Sequence, residues 1–122
     1  KGEAQAESNY YLAEFEFVQA KYEASNERIF WMIDNLPTYP QWRWKSLLLM
    51  AKNYAGLQDD FQANYTLDFI IENADFGTLA HEAQQFKAEL ALSRERESQM
   101  TFGVDSLKVE GSELEELEEI EE

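Results

Sequence analysis

The sequence predicts an all-α fold, and three observations carry that expectation. Apolar side chains recur every three or four residues through most of the chain, which lines them along one face of successive helices. No stretch alternates apolar and polar residues over a strand's length between turn residues. The breakers Pro37, Pro40 and Gly77 fall between the periodic stretches, so the helices are separated by short connections and sequential ones should be antiparallel neighbours.

Tyr11, Phe15 and Val18, with Leu12 beside them, define a first helix over about 4–19. Ile29, Ile33 and Leu36 define a second over about 22–36. It must end where Pro37 and Pro40 remove amide donors and clash with the preceding turn. Trp44, Leu47, Leu48, Ala51 and Tyr54 share one face of a third helix over about 41–56. Leu67, Ile70, Ile71 and Ala74 do the same for a fourth over about 60–73, with Asp59 or Asp60 placed to accept bonds from its first free amides. A fifth begins near Thr78, its expected N-cap after Gly77, and aligns Leu79, Ala83, Phe86 and Leu90.

These helices place the folded domain in residues 1–98. Gly103, Gly111 and Ser112 punctuate the remainder, so 99–122 reads as a linker and an acidic, disordered tail. The chain has 122 residues, 25 acidic against 10 basic, for a net charge of -15. Glu110 to Glu122 contains eight glutamates and no basic residue, so the tail carries -8 of that charge. Nucleic acid and anionic membrane surfaces are bound by basic patches that this composition does not supply, so neither is an expected partner. The longest apolar run, Leu47 to Ala51, is far short of the roughly 20 residues a membrane span needs, so no insertion is expected. With no cysteine there is no disulfide framework, thiolate zinc site or cysteine nucleophile. The first residue is Lys1 and no charged-then-apolar signal segment comes after it, which reads as a fragment or a processed chain.

The helices also repeat. A shift of 38 residues places Ala13 on Ala51, Ser25 on Ala63, Ile29 on Leu67, Met32 on Ile70 and Ile33 on Ile71. Small residues fall on small ones where paired helices must approach closely, and aliphatics fall on aliphatics that fill the space between pairs. The run Leu48 to Ala63, with Ala51, Tyr54, the polar turn Gln58-Asp59 and then Leu67 and Ile70-Ile71, resembles the tetratricopeptide repeat family. In that family a helix-turn-helix unit of about 34 residues carries small residues mid-way along its first helix and early in its second. The earlier stretch, Leu12-Ala13, Ala20 to Ser25, Ile29 and Pro37, is similar to a first such unit. Gln58 stands where the family has a turn glycine, and Asp60 where it has an aromatic. The four surplus residues fit the Leu36–Pro40 connection. The resemblance covers about residues 6–74, and the Thr78 helix is similar to the helix that caps such arrays.

What the resemblance implies is a non-catalytic protein-interaction or scaffold module: two units of an α-solenoid plus a cap, drawn from the C-terminal part of a bacterial repeat protein. The outward face of its first helix would pack on preceding repeats. Members of the family with this spacing and acidity are common in bacterial envelopes, which leans the setting toward the periplasm. The groove-lining positions of the family fall here on Tyr10, Glu14, Phe17, Lys45, Leu48 and Lys52. They would take a protein or peptide partner, with Tyr10 and Phe17 as apolar anchors and the two lysines pairing with carboxylates. The competing reading packs those aromatics against a neighbouring repeat or the cap and leaves the lysines as a solvated face.

Catalytic signals are sparse. His81-Glu82 begins like a zinc-protease helix motif, but Gln85 stands where the second histidine must be, and His81 is the only histidine. Only carboxylate pairs such as Asp59-Asp60 remain for acid-base work, and a helix cap explains those two. Neither an enzyme nor a cofactor or metal site is expected. An enzyme-accessory domain using carboxylates in a helical pocket, and a structural cap of a longer array, are the alternatives. Asn64-Tyr65-Thr66 matches a glycosylation acceptor inside a predicted helix. In the tail, Leu114, Leu117 and Ile120 recur among glutamates, a pattern for an acidic segment that folds on a partner, occupies its own groove, or stays disordered.

Overall fold

The computed structural model describes the backbone of residues 2–121 and the side chains of residues 2–103. Among them there are five helices and no strand: α1 (Gly2–Val18), α2 (Tyr22–Asn35), α3 (Pro40–Gly56), α4 (Asp60–Asn73) and α5 (Leu79–Glu121). α1 packs on α2, α2 on α3 and α3 on α4, and α1 also reaches α3. By contacts the chain divides into two units, Lys1–Lys87 and Ala88–Glu122, with the division falling inside α5. In the second unit, Arg94 pairs with Glu97 at 3.1 Å and the Thr101 hydroxyl donates to the Glu97 carbonyl. The linker and tail expected over 99–122 fall on this continuous helix, and the side chains from Val104 onward lie outside the described residues.

The 38-residue shift is a property of the backbone. Gly2 and Pro40 open the first helix of each hairpin, Val18 and Gly56 close it, Tyr22 and Asp60 open the second, and Asn35 and Asn73 close it. The turns match as well. Ala20 and Gln58 both sit in the left-handed region, at φ 61° and 63°. At the first turn, the Ala20 amide donates to the Phe17 carbonyl and the Lys21 amide to Glu16. At the second, Gln58 donates to Ala55 and Asp59 to Tyr54. This double closure satisfies carbonyls left over at a helix C-terminus, and it usually places glycine at the left-handed position because a Cβ is strained there. Replacing Gln58 by glycine is therefore expected to stabilise the chain by about 0.5–1 kcal/mol, read as a raised thermal midpoint. A lowered midpoint would show that the Gln58 side chain contributes more than its backbone strain costs.

The remaining boundaries have local causes. Pro40 occupies the first turn of α3, where its missing amide is no loss. The Asp59 carboxylate accepts from the Gln62 amide and caps α4. Gly77 supplies a left-handed turn before α5, at φ 55°. The Thr78 hydroxyl, expected to cap α5, instead donates to the Glu82 carboxylate at 3.3 Å.

α3 is the central helix, with Trp42, Ser46–Ala51, Asn53 and Ala55 all buried. It shares one core with Ala13, Ile29, Leu67, Ile70, Leu79 and Ala83. Ala13 and Ser25 meet as the pattern required, so closely that the Ser25 hydroxyl donates to the Ala13 carbonyl at 2.7 Å. Ala51 and Ala63, their counterparts, are both fully buried. Between the hairpins the contact is polar at its centre. Asn53 is fully buried, and its Nδ2 donates to Ser25 Oγ at 2.7 Å and to Asn26 Oδ1 at 2.9 Å. Gly56 lies so close to the Tyr22 ring that an added Cβ would stand 2.6 Å from it.

α1 corrects one expectation. The face it buries carries Ala6, Asn9 and Ala13, while Tyr11, Leu12, Phe15 and Val18 are exposed. Two helices, α2 and α3, crowd against α1, and small side chains permit that approach where aromatic ones would hold the backbones apart. Periodicity located an apolar face on this helix without indicating that it was the outer one.

Candidate functional site

Tyr10, Glu14, Phe17, Lys45, Leu48 and Lys52 come from two helices and line one cleft of about 300 Å³. α1 and α3 lie side by side, so positions a turn apart on each project into the space between them. α1 contributes Tyr10, Glu14, Phe17 and Val18, and α3 contributes Lys45, Leu48, Leu49 and Lys52. The first turn of α5 adds Leu79 and Glu82.

The floor of the cleft is apolar and continuous with the core. Leu48, Leu49 and Leu79 are buried, and Tyr10 and Phe17 are half-buried against the same cluster. Each of the two aromatics is steadied by another ring: Tyr10 by Trp42 and Phe17 by Tyr22, at centroid distances of 5.8 Å in both cases. The aromatics thus pack inside the fold and border the cleft at once.

The polar groups sit at the rim. The Tyr10 hydroxyl donates to Glu14 Oε2 at 3.0 Å. Burial, and then the hydrogen bond and negative charge of Glu14, hold the Tyr10 phenol well above its ordinary pKa, so it stays a neutral donor. Lys45 Nζ lies 5.0 Å from the centre of the Trp42 ring, and Lys52 Nζ lies 5.7 Å from that of Phe86. The rings hold both ammonium groups without neutralising them. Neither Lys45 nor Lys52 takes part in an ion pair shown among the described residues. The result is an apolar trough with two cations on the α3 side and two carboxylates, Glu14 and Glu82, at its edge.

A larger hollow of about 570 Å³ opens between α1 and α2, and no motif or periodicity in the sequence marks it. Its one cation is already matched, since Arg28 Nε meets Glu16 Oε1 at 2.6 Å, and Asn9 Nδ2 donates to the Arg28 carbonyl. The pairing spans twelve residues across a helix turn, so only the fold brings it together.

The other sequence candidates are dispersed. His81 is exposed on α5, and so is Gln85 one turn on. Asp59 serves as a cap. Asn64 and Thr66 lie within α4, where the Thr66 hydroxyl donates to the Gln62 carbonyl. Among the described residues no group of three or more His, Cys, Asp or Glu is arranged to hold a metal ion. None of their helices is long and apolar enough to cross a membrane. The tail residues expected to bind a partner or return to this cleft, Leu114, Leu117 and Ile120, lie outside the described side chains. Compared with protein-family models, curated proteins and solved structures, the chain matches none of them.

Proposed function

We propose that this chain is a non-catalytic interaction module, built as two tetratricopeptide-like units of an α-solenoid with α5 as their cap, that takes a peptide segment of a partner protein in the cleft between α1 and α3. One observation carries the reading: six residues singled out from sequence alone, 42 positions apart at their extremes, border a single cleft. The cleft's chemistry suits a segment that places apolar side chains on Tyr10, Phe17 and Leu48 and a carboxylate near Lys45 and Lys52. The identical spacing of helices, turns and left-handed residues in the two hairpins supports the repeat reading. The larger hollow is a weaker candidate, because a ligand there would compete with the Arg28–Glu16 pair.

Short peptides selected from a displayed random library against the chain are expected to combine apolar residues with at least one acidic one. Lys45→Glu together with Lys52→Glu should weaken their binding by about tenfold or more, with helicity by circular dichroism unchanged. Selected peptides that bind the double variant as tightly as the natural chain would place recognition outside this cleft.

A further inference from the structure

We propose that an aromatic row on α4 holds an extended segment of a partner protein that carries arginine at alternate positions. Phe61, Tyr65 and Phe69 follow one another at four-residue steps, so they line one face of the helix, away from its buried Ala63, Leu67 and Ile70. All three are open, at 77%, 68% and 47% exposure. The half-buried Trp44 of α3 extends the row, its ring centre 5.8 Å from that of Phe69. Contiguous exposed rings of this kind mark an interaction site. The fold does not ask for them. Thirty-eight residues earlier the equivalent positions on α2 are Glu23, Glu27 and Trp31, so two of the three carry glutamate. Those positions stay exposed although α3 packs on α2, and the row stays exposed although α2 is seated against α3. Packing of hairpin on hairpin therefore covers this face on neither side.

The charge around the row is of one sign. From Asn53 to Phe86 the chain has no lysine or arginine. Glu72 continues the row three residues past Phe69, and Asp75 follows the helix. Both are exposed, and neither joins an ion pair shown among the described residues. α4 has no basic residue in its last turn, so the partial negative charge of its C-terminus adds to theirs. The cations of the neighbouring helices are placed elsewhere: Lys45 and Lys52 line the cleft, Arg43 lines a small hollow with Leu36, Tyr39 and Trp42, and Lys87 is paired with Asp68. Rings beside carboxylates suit arginine, whose planar guanidinium stacks on an aromatic face while its edge bonds a carboxylate. Four residues of helix rise about 6.0 Å and two residues of an extended strand about 6.6 Å, so alternate side chains of an extended segment meet successive rings. No residue of the row lines the cleft between α1 and α3, so this proposal does not rest on that one.

The test titrates the full chain with three synthetic peptides. One alternates arginine and serine, one has the same composition with its arginines in a single block, and one alternates lysine and serine, which keeps the charge without the planar face. The first is expected to bind most tightly. Phe61→Gln with Tyr65→Gln removes two exposed rings, keeps every charge, and installs the neutral counterparts of the glutamates that α2 carries at the equivalent positions. With helicity by circular dichroism unchanged, the double variant should bind the alternating arginine peptide about tenfold more weakly. Equal binding of that peptide to the natural chain and the double variant would reduce the effect to bulk charge and overturn the proposal. So would equal binding of the block or the lysine peptide, or sedimentation of the natural chain as a dimer that the double variant abolishes, since a second copy would then cover the row.

Discussion

Asn53→Asp is expected to cost about 3–5 kcal/mol at neutral pH, a large share of the roughly 5–15 kcal/mol that holds a small domain folded. The natural amide is fully buried and gives both of its Nδ2 bonds to oxygen atoms, on Ser25 and Asn26. A carboxylate has no proton to give them. Ser25 cannot turn to donate without abandoning the Ala13 carbonyl, to which its hydroxyl already points. Charge would therefore be buried against acceptors, and desolvation would raise the carboxyl pKa in the folded chain above the ordinary value of about 3.9. With the folded pKa raised, the penalty is absent below the unfolded pKa and grows as pH rises through the window up to the folded pKa. Urea unfolding at about pH 4 and about pH 7, each against the natural chain at the same pH, should show a small difference at the lower value and a large one at the higher. Equal differences would mean that the site admits enough water to solvate the carboxylate.

Truncating Ile29 or Leu67 to alanine is expected to cost about 3 kcal/mol each, within the 2–5 kcal/mol range for fully buried aliphatics. The two occupy equivalent places in the two hairpins, and neither has measurable exposure. Both belong to one cluster that runs through α3. Loss at either site should therefore lower the midpoint of a single transition while leaving its denaturant slope unchanged. If Ile29→Ala instead split the curve in two, with the α3–α4 hairpin melting second, the hairpins would be separate cooperative units.

The parts of this fold that were legible from sequence were those set by local chemistry. Pro37 and Pro40 fixed the break between the hairpins, Asp59 fixed the start of α4, and the periodicity of Leu67, Ile70 and Ile71 fixed its inner face. The repeat was legible because it is carried by small residues at close contacts, which tolerate little change in volume. The α1 face was misassigned because that helix is apolar on more than one side, and hydrophobicity alone does not rank one apolar side against another. The hydrogen bonds joining Asn53 to Ser25 and Asn26 left no signal in the sequence. Ser25 reads only as a small residue at a close helix contact, Asn53 and Asn26 alone read as surface side chains, and only the crossing of α2 and α3 turns the three into hydrogen-bond partners. In the cleft, the two lysines could be placed on a common edge, but the rings of Trp42 and Phe86 beneath them depend on tertiary packing.

Contacts in the first four helices link each helix to the next, and α1 to α3, so no partner is far away along the chain. A polypeptide leaving the ribosome would complete the α1–α2 hairpin before α4 had been synthesised, and α3 would then meet a surface already formed. Little loop entropy has to be surrendered in advance, which places such topologies in the microsecond-to-millisecond folding range. The aromatic side chains that remain outward on α1 emerge before α2, α3 and α4 and stay uncovered after those helices have packed, so the nascent chain, more than the finished one, is where chaperone capture would begin.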